Sequence, residues 1–175
     1  MAFYDNEHKN KIKELEKLWE GLEHLTIFAK QHGINDIFQD NGAKVLQQLI
    51  ILNMNILSGR EGNDAVSENG TEWEMKSINT ETTATGFSTN HHVTHDTIKK
   101  YKQVHWSFAI YSGIYLQKIY VMKPDILEKY YIEWEKGLLE KKHLNNPKIN
   151  LTFVQENGIQ VYPINEENPI NPDSI

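Results

Sequence analysis

The apolar positions of this chain recur at two kinds of spacing, which separate predicted helices from predicted strands. Spacings of three and four residues predict a long amphipathic helix over residues 6–31, ended near Gly33, and a buried helix over about 43–54. Two further helices are predicted over 95–103 and over about 124–141. The apolar stripe of the first helix is formed by Ile12, Leu15, Leu18, Trp19, Leu22, Leu25 and Phe28.

Segments rich in β-branched and aromatic residues predict strands in the second half of the chain. Residues 105–112 and 114–122 flank a glycine and form the clearest strand pair. Residues 149–155 and 159–162 predict a C-terminal hairpin that turns at an Asn-Gly pair. The last stretch, 163–175, is rich in Pro, Asn and Glu and predicts a solvated or disordered tail.

A short alternating segment near the middle of the chain carries the most informative charges. In Glu-Trp-Glu-Met-Lys, a strand places Glu74 and Lys76 on one face and Trp73 and Met75 on the other. Asp64 lies ten residues before Glu74, and Ser-Glu-Asn-Gly between them is typical of a turn. The pattern therefore predicts a hairpin that brings Asp64 beside Glu74 and Lys76.

Two converging carboxylates suit a hard, oxygen-preferring cation such as Mg2+. A lysine two residues beyond the second carboxylate can hold a phosphate oxygen or help to orient an attacking water. Asp64, Glu74 and Lys76 together indicate metal-assisted phosphodiester hydrolysis, in the pattern of the D…(D/E)-x-K nuclease motif. Taken alone the motif is weakly specific, and a solvated charged strand face is the commoner alternative.

Composition narrows the class of protein. The 175 residues predict one domain with a substantial core, and the chain has no cysteine for a disulfide framework or a thiolate metal site. No apolar run has the length of a membrane-spanning helix and no signal-peptide pattern is present, so a soluble cytoplasmic protein is expected. A net charge of -6 argues against a non-specific nucleic-acid coat, but it leaves a sequence-specific DNA enzyme open.

Histidine and asparagine clusters are candidates for recognition. His91, His92 and His95 suggest a zinc site, an exposed cluster, or side chains that reach base edges in the major groove, and zinc is the least favoured of the three. Asn145 and Asn146 fit either a turn or adenine recognition, since an amide offers one donor and one acceptor.

Other polar and apolar features have plain alternatives. Asp40 lies in a predicted loop and by default is solvated. The lysines of the 95–103 helix form a solvated face or contact phosphates. The stripe of the 6–31 helix indicates either packing in the core or a dimer contact.

Several blocks of the sequence, in order and spacing, resemble the PvuII family of type II restriction endonucleases. The similarity runs from about Leu18 to Tyr162. The blocks are HGINDIFQDNGAK, GREGNDAV, EWEMKSIN, GFSTNHH, IKKYKQVHWSFAIY and NNPKI. The chain departs from the family at a longer 80–86 loop and at Asn90, which stands where the family has the first of three histidines.

The resemblance implies an α+β fold of the PD-(D/E)xK class, with a central mixed sheet flanked by helices and an N-terminal dimerisation helix. It implies a homodimer that uses Mg2+ to cut both strands of double-stranded DNA within the palindrome CAGCTG, leaving blunt ends with 5′-phosphates. It also implies a functional pairing with a cognate DNA methyltransferase. The alternative is a sequence-specific DNA-binding protein without catalysis.

The resemblance also implies site residues and regions. Asp64, Glu74 and Met75 match metal-binding positions, Lys76 the catalytic lysine, Glu61 an accessory acidic position and Tyr101 a tyrosine near the metal and water. The implied recognition residues are Asp40, Ser88, His91, His92, Asn145 and Asn146. The implied regions are a dimerisation region at about 1–45, a catalytic core at about 46–140, recognition elements at 87–92 and 143–162, and a tail at 163–175.

Overall fold

The computed structural model describes residues 6–39, 41–57, 64–167 and 169–175, in two compact units, Met1–Leu46 and Gln47–Ile175. The helices of the described part are α1 (Asn6–Gln31), α2 (Gly42–Leu52), α3 (His95–Tyr101), α4 (Glu128–Leu138) and α5 (Leu151–Asn157). Its strands are β1 (Met54–Ile56), β2 (Ala65–Ser67), β3 (Glu72–Asn79), β4 (Gly86–Ser88), β5 (His105–Ser112), β6 (Tyr115–Met122), β7 (Lys148–Asn150) and β8 (Ile159–Tyr162).

The first unit contains α1 and the chain reversal that follows it. Gly33 adopts a positive φ of 79°, and its N–H donates to the Lys30 carbonyl while the Ile34 N–H donates to the Ala29 carbonyl. This pair of bonds is a Schellman ending, which needs a residue that tolerates the left-handed region. Ala29, Ile34 and Ile37 are buried, whereas several apolar side chains of α1 remain exposed.

The second helix is shorter than the sequence predicts. It ends at Leu52 instead of continuing to Met54, because Asn53 takes a positive φ of 53° and breaks the helical geometry. The chain then enters β1, a strand that the apolar pattern did not separate from the helix. Its three residues pair antiparallel with β2.

The main sheet has six strands in the order β1-β2-β3-β5-β6-β8. The predicted β2–β3 hairpin is confirmed, as is the predicted antiparallel pair of β5 and β6. Between them, β3 and β5 run parallel over seven residue pairs, from Trp73↔His105 to Asn79↔Tyr111. The sheet is therefore mixed, and the predicted α+β fold with a central mixed sheet and flanking helices is confirmed.

The core of the second unit forms around β5, whose six central residues are all buried. A strand covered on both faces is expected to be a nearly continuous apolar run, as this one is. The rings of Trp106 and Phe108 stack at 5.7 Å, and Tyr101 meets Trp106 edge to face at 4.7 Å. Tyr131 and Leu127 are also fully buried in this cluster.

A small second sheet pairs β4 antiparallel with β7. Phe87 and the opposite Ile149 are fully buried in the core, and Gly86 is buried beside Phe87, while Ser88 and Lys148 are exposed. One face of this sheet is thus fixed to the core, and the other is presented to solvent.

The predicted C-terminal hairpin over 149–155 and 159–162 is wrong. Residues 151–157 form α5, because the Asn150 side chain accepts the Phe153 N–H as an N-cap and Val154 is buried one turn along. The strand before it, β7, pairs with the distant β4, and β8 pairs with β6.

The remaining helices differ from the predictions only at their ends. α3 begins after its N-cap Thr94 and ends at Tyr101. The Thr94 hydroxyl accepts the Thr97 N–H in a capping box. The predicted 124–141 helix starts as a 3-10 turn, continues as α4 and ends at Leu138. Within the predicted tail, Pro172–Ser174 form a further 3-10 turn. Across the described ranges, no helix combines the length and apolar character needed to cross a membrane.

A buried polar pair supports β5 and gives a stability test. The Ser107 hydroxyl donates to the Gln48 side-chain oxygen at 2.6 Å, and both residues are buried. We expect Ser107→Ala to lower the free energy of unfolding in urea by about 1–3 kcal/mol, because the Gln48 amide oxygen loses its buried donor.

The matched control removes both partners together. Gln48→Leu combined with Ser107→Ala is expected to lose less stability than Ser107→Ala alone, because no buried amide is then left unsatisfied. A double variant that loses the sum of the two single effects would show that this hydrogen bond contributes nothing specific.

Candidate functional site

Main-chain pairing between β2 and β3 places Asp64. Ala65 pairs with Trp73, so continuing the antiparallel register by one residue sets Asp64 opposite Glu74 on the same face. The Asp64 N–H donates to the Trp73 carbonyl at 3.0 Å. The Asp64 carboxylate oxygen Oδ2 then accepts the Met75 N–H at 2.7 Å, which fixes this side chain against β3.

Glu74 and Lys76 lie two residues apart on one face of β3, as the alternation predicts. Lys76 Nζ is 2.6 Å from Glu74 Oε1, and the two side chains are only 13% and 7% exposed. Burial raises the pKa of Glu74 above its usual range, the Lys76 ammonium opposes that rise, and the Asp64 charge adds to it. The ionised form of Glu74 is thus opposed by burial and by Asp64, and Lys76 offsets this only in part.

Tyr101 completes this cluster from the end of α3. Burial raises the pKa of its hydroxyl well above the ordinary range, and the charges of Glu74 and Asp64 raise it further. Its position is fixed because Trp106 Nε1 and the Tyr131 hydroxyl both donate to the Tyr101 carbonyl, at 3.3 and 3.1 Å.

The Tyr101 hydroxyl itself is a buried group in need of a partner. The oxygen has no hydrogen-bond partner among the described residues, although the Asn90 backbone lies close enough to lower its pKa in part. A neutral phenol can donate one hydrogen bond, and a buried donor is normally satisfied. An unsatisfied donor beside two carboxylates is consistent with a site that receives a further polar group.

The donor set fits a small, hard dication. Asp64 and Glu74 supply carboxylate oxygens, and Met75 can contribute only its main-chain carbonyl, since its thioether is a soft donor and its side chain is buried. In the described part of the chain no three His, Asp or Glu side chains are grouped as a metal site. The described side-chain ligands of this cluster are therefore two.

A second group of predicted residues is brought together by the β4–β7 ribbon. Beyond the paired strands, the Thr89 N–H and hydroxyl both donate to the Pro147 carbonyl, at 3.1 and 2.7 Å. Further along, Val93 and Leu144 exchange two main-chain hydrogen bonds of 3.0 and 2.9 Å. These contacts hold residues 88–92 beside residues 143–146.

The predicted recognition side chains lie on this ribbon at the surface. Ser88, His91, His92 and Asn145 are exposed, and Asn146 is half-buried. Asn146 adopts a positive φ of 54°, a strained conformation for a residue with a side chain, although asparagine tolerates it better than most. This backbone geometry agrees with the turn interpretation of the Asn pair, and adenine recognition stays a prediction.

Sequence reasoning missed two residues of this ribbon. The His143 ring lies edge to face against His92, with 4.4 Å between centroids. Thr89 is buried and ties the two segments together. No local pattern signals either residue, because the partners are more than 50 positions apart in the chain.

Other predictions have mixed outcomes. Lys102 Nζ lies 3.3 Å from Glu128 and 3.2 Å from Glu135, so this lysine links α3 to α4 in the structure described here. Glu61 and Asp40, predicted as an accessory acidic residue and a minor-groove contact, lie outside the described residues.

The charge balance among Asp64, Glu74 and Lys76 can be tested without a substrate. Lys76→Met keeps most of the stem but leaves the buried Glu74 carboxylate without its ion-pair partner. We expect it to lower the free energy of unfolding in EDTA buffer by about 1.5–3 kcal/mol, the usual value of a hydrogen bond to a charged group. Urea denaturation at neutral pH measures the change.

Asp64→Asn is the matched variant, and its expected change in the free energy of unfolding has the opposite sign to that of Lys76→Met. The amide still offers an oxygen to the Met75 N–H, while the repulsion between Asp64 and Glu74 is removed, so stability in EDTA is expected to rise. Destabilisation of the same size as that of Lys76→Met would contradict the proposed charge balance.

Comparison with known families agrees with this geometry. A family model described as Restriction endonuclease PvuII matches residues 10–162, which is most of the chain and includes every element from β1 to β8. The match confirms the resemblance carried by the sequence blocks and covers both residue groups described above. The chain therefore belongs to the PvuII family of restriction endonucleases and is a type II restriction endonuclease, a hydrolase.

Proposed function

We propose that this endonuclease is a Mg2+-dependent homodimer that cuts both strands of DNA within CAGCTG and leaves blunt ends with 5′-phosphates. The observation that carries the proposal is the cluster of Asp64, Glu74 and Lys76, in which two carboxylates and one ammonium meet on one face of β3. Family membership supplies the reaction class. It also favours an enzyme over a DNA-binding protein without catalysis.

Asp64, Glu74 and the main-chain carbonyl of Met75 would hold the Mg2+ ion. When bound, a divalent cation polarises the phosphate and lowers the pKa of coordinated water. Carboxylates bind a metal in their ionised form, and burial together with the Asp64 charge raises the pKa of Glu74 and so opposes its ionisation. Glu61 keeps its proposed role as an accessory acidic residue.

Lys76 is proposed as the catalytic cation. In the structure it pairs with Glu74, and with substrate present it would turn to a phosphate oxygen. There its charge stabilises the negative charge that develops in the transition state. Tyr101, held neutral by its raised pKa, would donate its unsatisfied hydroxyl to a water or phosphate oxygen and would not act as a base.

The exposed ribbon is proposed to recognise the bases. Ser88, His91, His92, Asn145 and Asn146 place short donors and acceptors on one surface, and such groups discriminate base edges in the major groove. The buried Phe87 and Ile149 behind them keep this surface rigid, which direct recognition requires. Asp40 keeps its proposed role in the minor groove.

The homodimer is proposed from the first unit. Exposed apolar side chains follow one another along α1 and its reversal, and three of them, Leu15, Ile27 and Phe38, line a groove of about 750 Å3. A palindromic target suits two identical subunits related by a two-fold axis, each cutting one strand. The exposed apolar side chains of α1 and its reversal are Leu15, Leu18, Leu25, Ile27, Phe28 and Phe38.

An enzyme of this kind also requires a DNA methyltransferase that protects the host site.

A plasmid digest tests the catalytic assignment. With Mg2+ the wild type is expected to produce discrete fragments from CAGCTG-containing DNA, and none in EDTA. Lys76→Ala is expected to keep DNA binding and to lose at least about 100–1,000-fold in cleavage rate, because transition-state charge is no longer stabilised. Lys118→Ala, at an exposed position of β6, is the matched control and should cut like the wild type. Full activity of Lys76→Ala would refute the role given to this lysine.

The dimer is tested by a charge placed in the apolar stripe. Wild type is expected to sediment at twice the 20.4 kDa of one chain, and Leu18→Glu at the mass of one chain. The variant should also lose double-strand cleavage, because two active sites no longer act on one target. Lys17→Glu changes an exposed neighbour on the same helix by two charge units and is the control. A dimeric Leu18→Glu variant would exclude this face as the interface.

A further inference from the structure

His143 lies beside one of the proposed base-reading residues, although it has no assigned role. Its ring is perpendicular to that of His92, with 4.4 Å between centroids and 77° between planes. Edge-to-face contacts of this kind are a preferred geometry for aromatic rings. Both residues are exposed, so the contact lies on the surface of the ribbon and outside the core.

The backbone beneath the two rings is fixed. Val93 and Leu144, the residues that directly follow the two histidines, exchange hydrogen bonds of 3.0 and 2.9 Å. Val93 is fully buried, and Leu144 packs over Gly137 of α4, where an added Cβ would lie 3.0 Å from Leu144 Cδ2. The positions from which the two side chains project are therefore set by the core.

We infer that His143 is a positioning residue that holds the His92 ring in its base-reading orientation. An exposed histidine otherwise samples several rotamers, and ordering it when DNA binds reduces affinity. A neighbouring ring on a fixed backbone removes part of that freedom in advance. This inference rests on the proposed function, because it requires that His92 contacts a base.

The consequence is confined to the cognate complex. Contacts with phosphates, which dominate non-specific binding, do not depend on the orientation of one histidine ring. Loss of His143 should therefore weaken binding to a CAGCTG duplex and leave binding to an unrelated duplex unchanged. It should raise KM and leave kcat at saturating DNA as it was, since the cluster at β3 is untouched.

The test is a double-mutant cycle on His92 and His143, with binding measured in Ca2+ to a CAGCTG duplex and to a scrambled duplex. His143→Ala is expected to weaken cognate binding roughly threefold to tenfold, the range that an aromatic pair supports. The double variant should bind no more weakly than His92→Ala, because the two residues act through one contact. Tyr115→Ala, which removes an exposed aromatic ring from β6, is the matched control.

His143→Phe separates positioning from direct contact. Phenylalanine keeps an edge-to-face ring but has no ring nitrogen, so it should restore cognate binding and KM to near the wild-type values. Failure of this rescue, or additive losses in the cycle, would overturn the positioning role. If His92→Ala loses discrimination while His143→Ala does not, only this inference fails. If His92→Ala keeps full discrimination, both the proposed base recognition by His92 and this inference fail.

Discussion

The antiparallel pairing of β2 with β3 is the constraint on which the candidate active site depends. It sets Asp64 opposite Glu74 and lets the Asp64 carboxylate accept the Met75 N–H. Glu74 is buried and Asp64 half-buried, and burial together with the Asp64 charge raises the pKa of Glu74, a rise that Lys76 offsets only in part. Clusters with this imbalance are typical of functional sites, and a bound dication is the group that would relieve it.

The crossover connection between β3 and β5 carries several of the other proposed functional residues. Because β3 and β5 are parallel, the chain must return across the sheet between them, and residues 80–104 make that return. This segment contains β4, then His91 and His92, and then α3 with Tyr101 at its end. The residues proposed for cleavage and those proposed for recognition are thus joined through one stretch of chain and one core.

Local patterns predicted the parts of the structure that local forces determine. The alternation along β3 and the turn before it were sufficient to place Asp64 beside Glu74 and Lys76, because a short hairpin has few alternative registers. The apolar run of β5 and its reversal into β6 were equally clear.

Features that depend on distant partners were not predictable in this way. Residues 149–155 were predicted as a strand, but those from 151 onward form a helix, because Asn150 caps it and β7 pairs with β4, which is remote in sequence. The contact of His92 with His143 depends on a bridge between residues 51 positions apart, and nothing near either residue indicates it. Lys102 lies against two carboxylates of α4, Glu128 and Glu135, and nothing near it in the sequence indicates these contacts.

The most direct test of the central claim is a crystal of the protein soaked in Mn2+, which replaces Mg2+ and scatters anomalously. We predict an anomalous peak in contact with the carboxylates of both Asp64 and Glu74, at roughly 2.2 Å as expected for oxygen ligands of a small dication. Absence of a peak between these two residues, or a metal bound only elsewhere, would contradict the account.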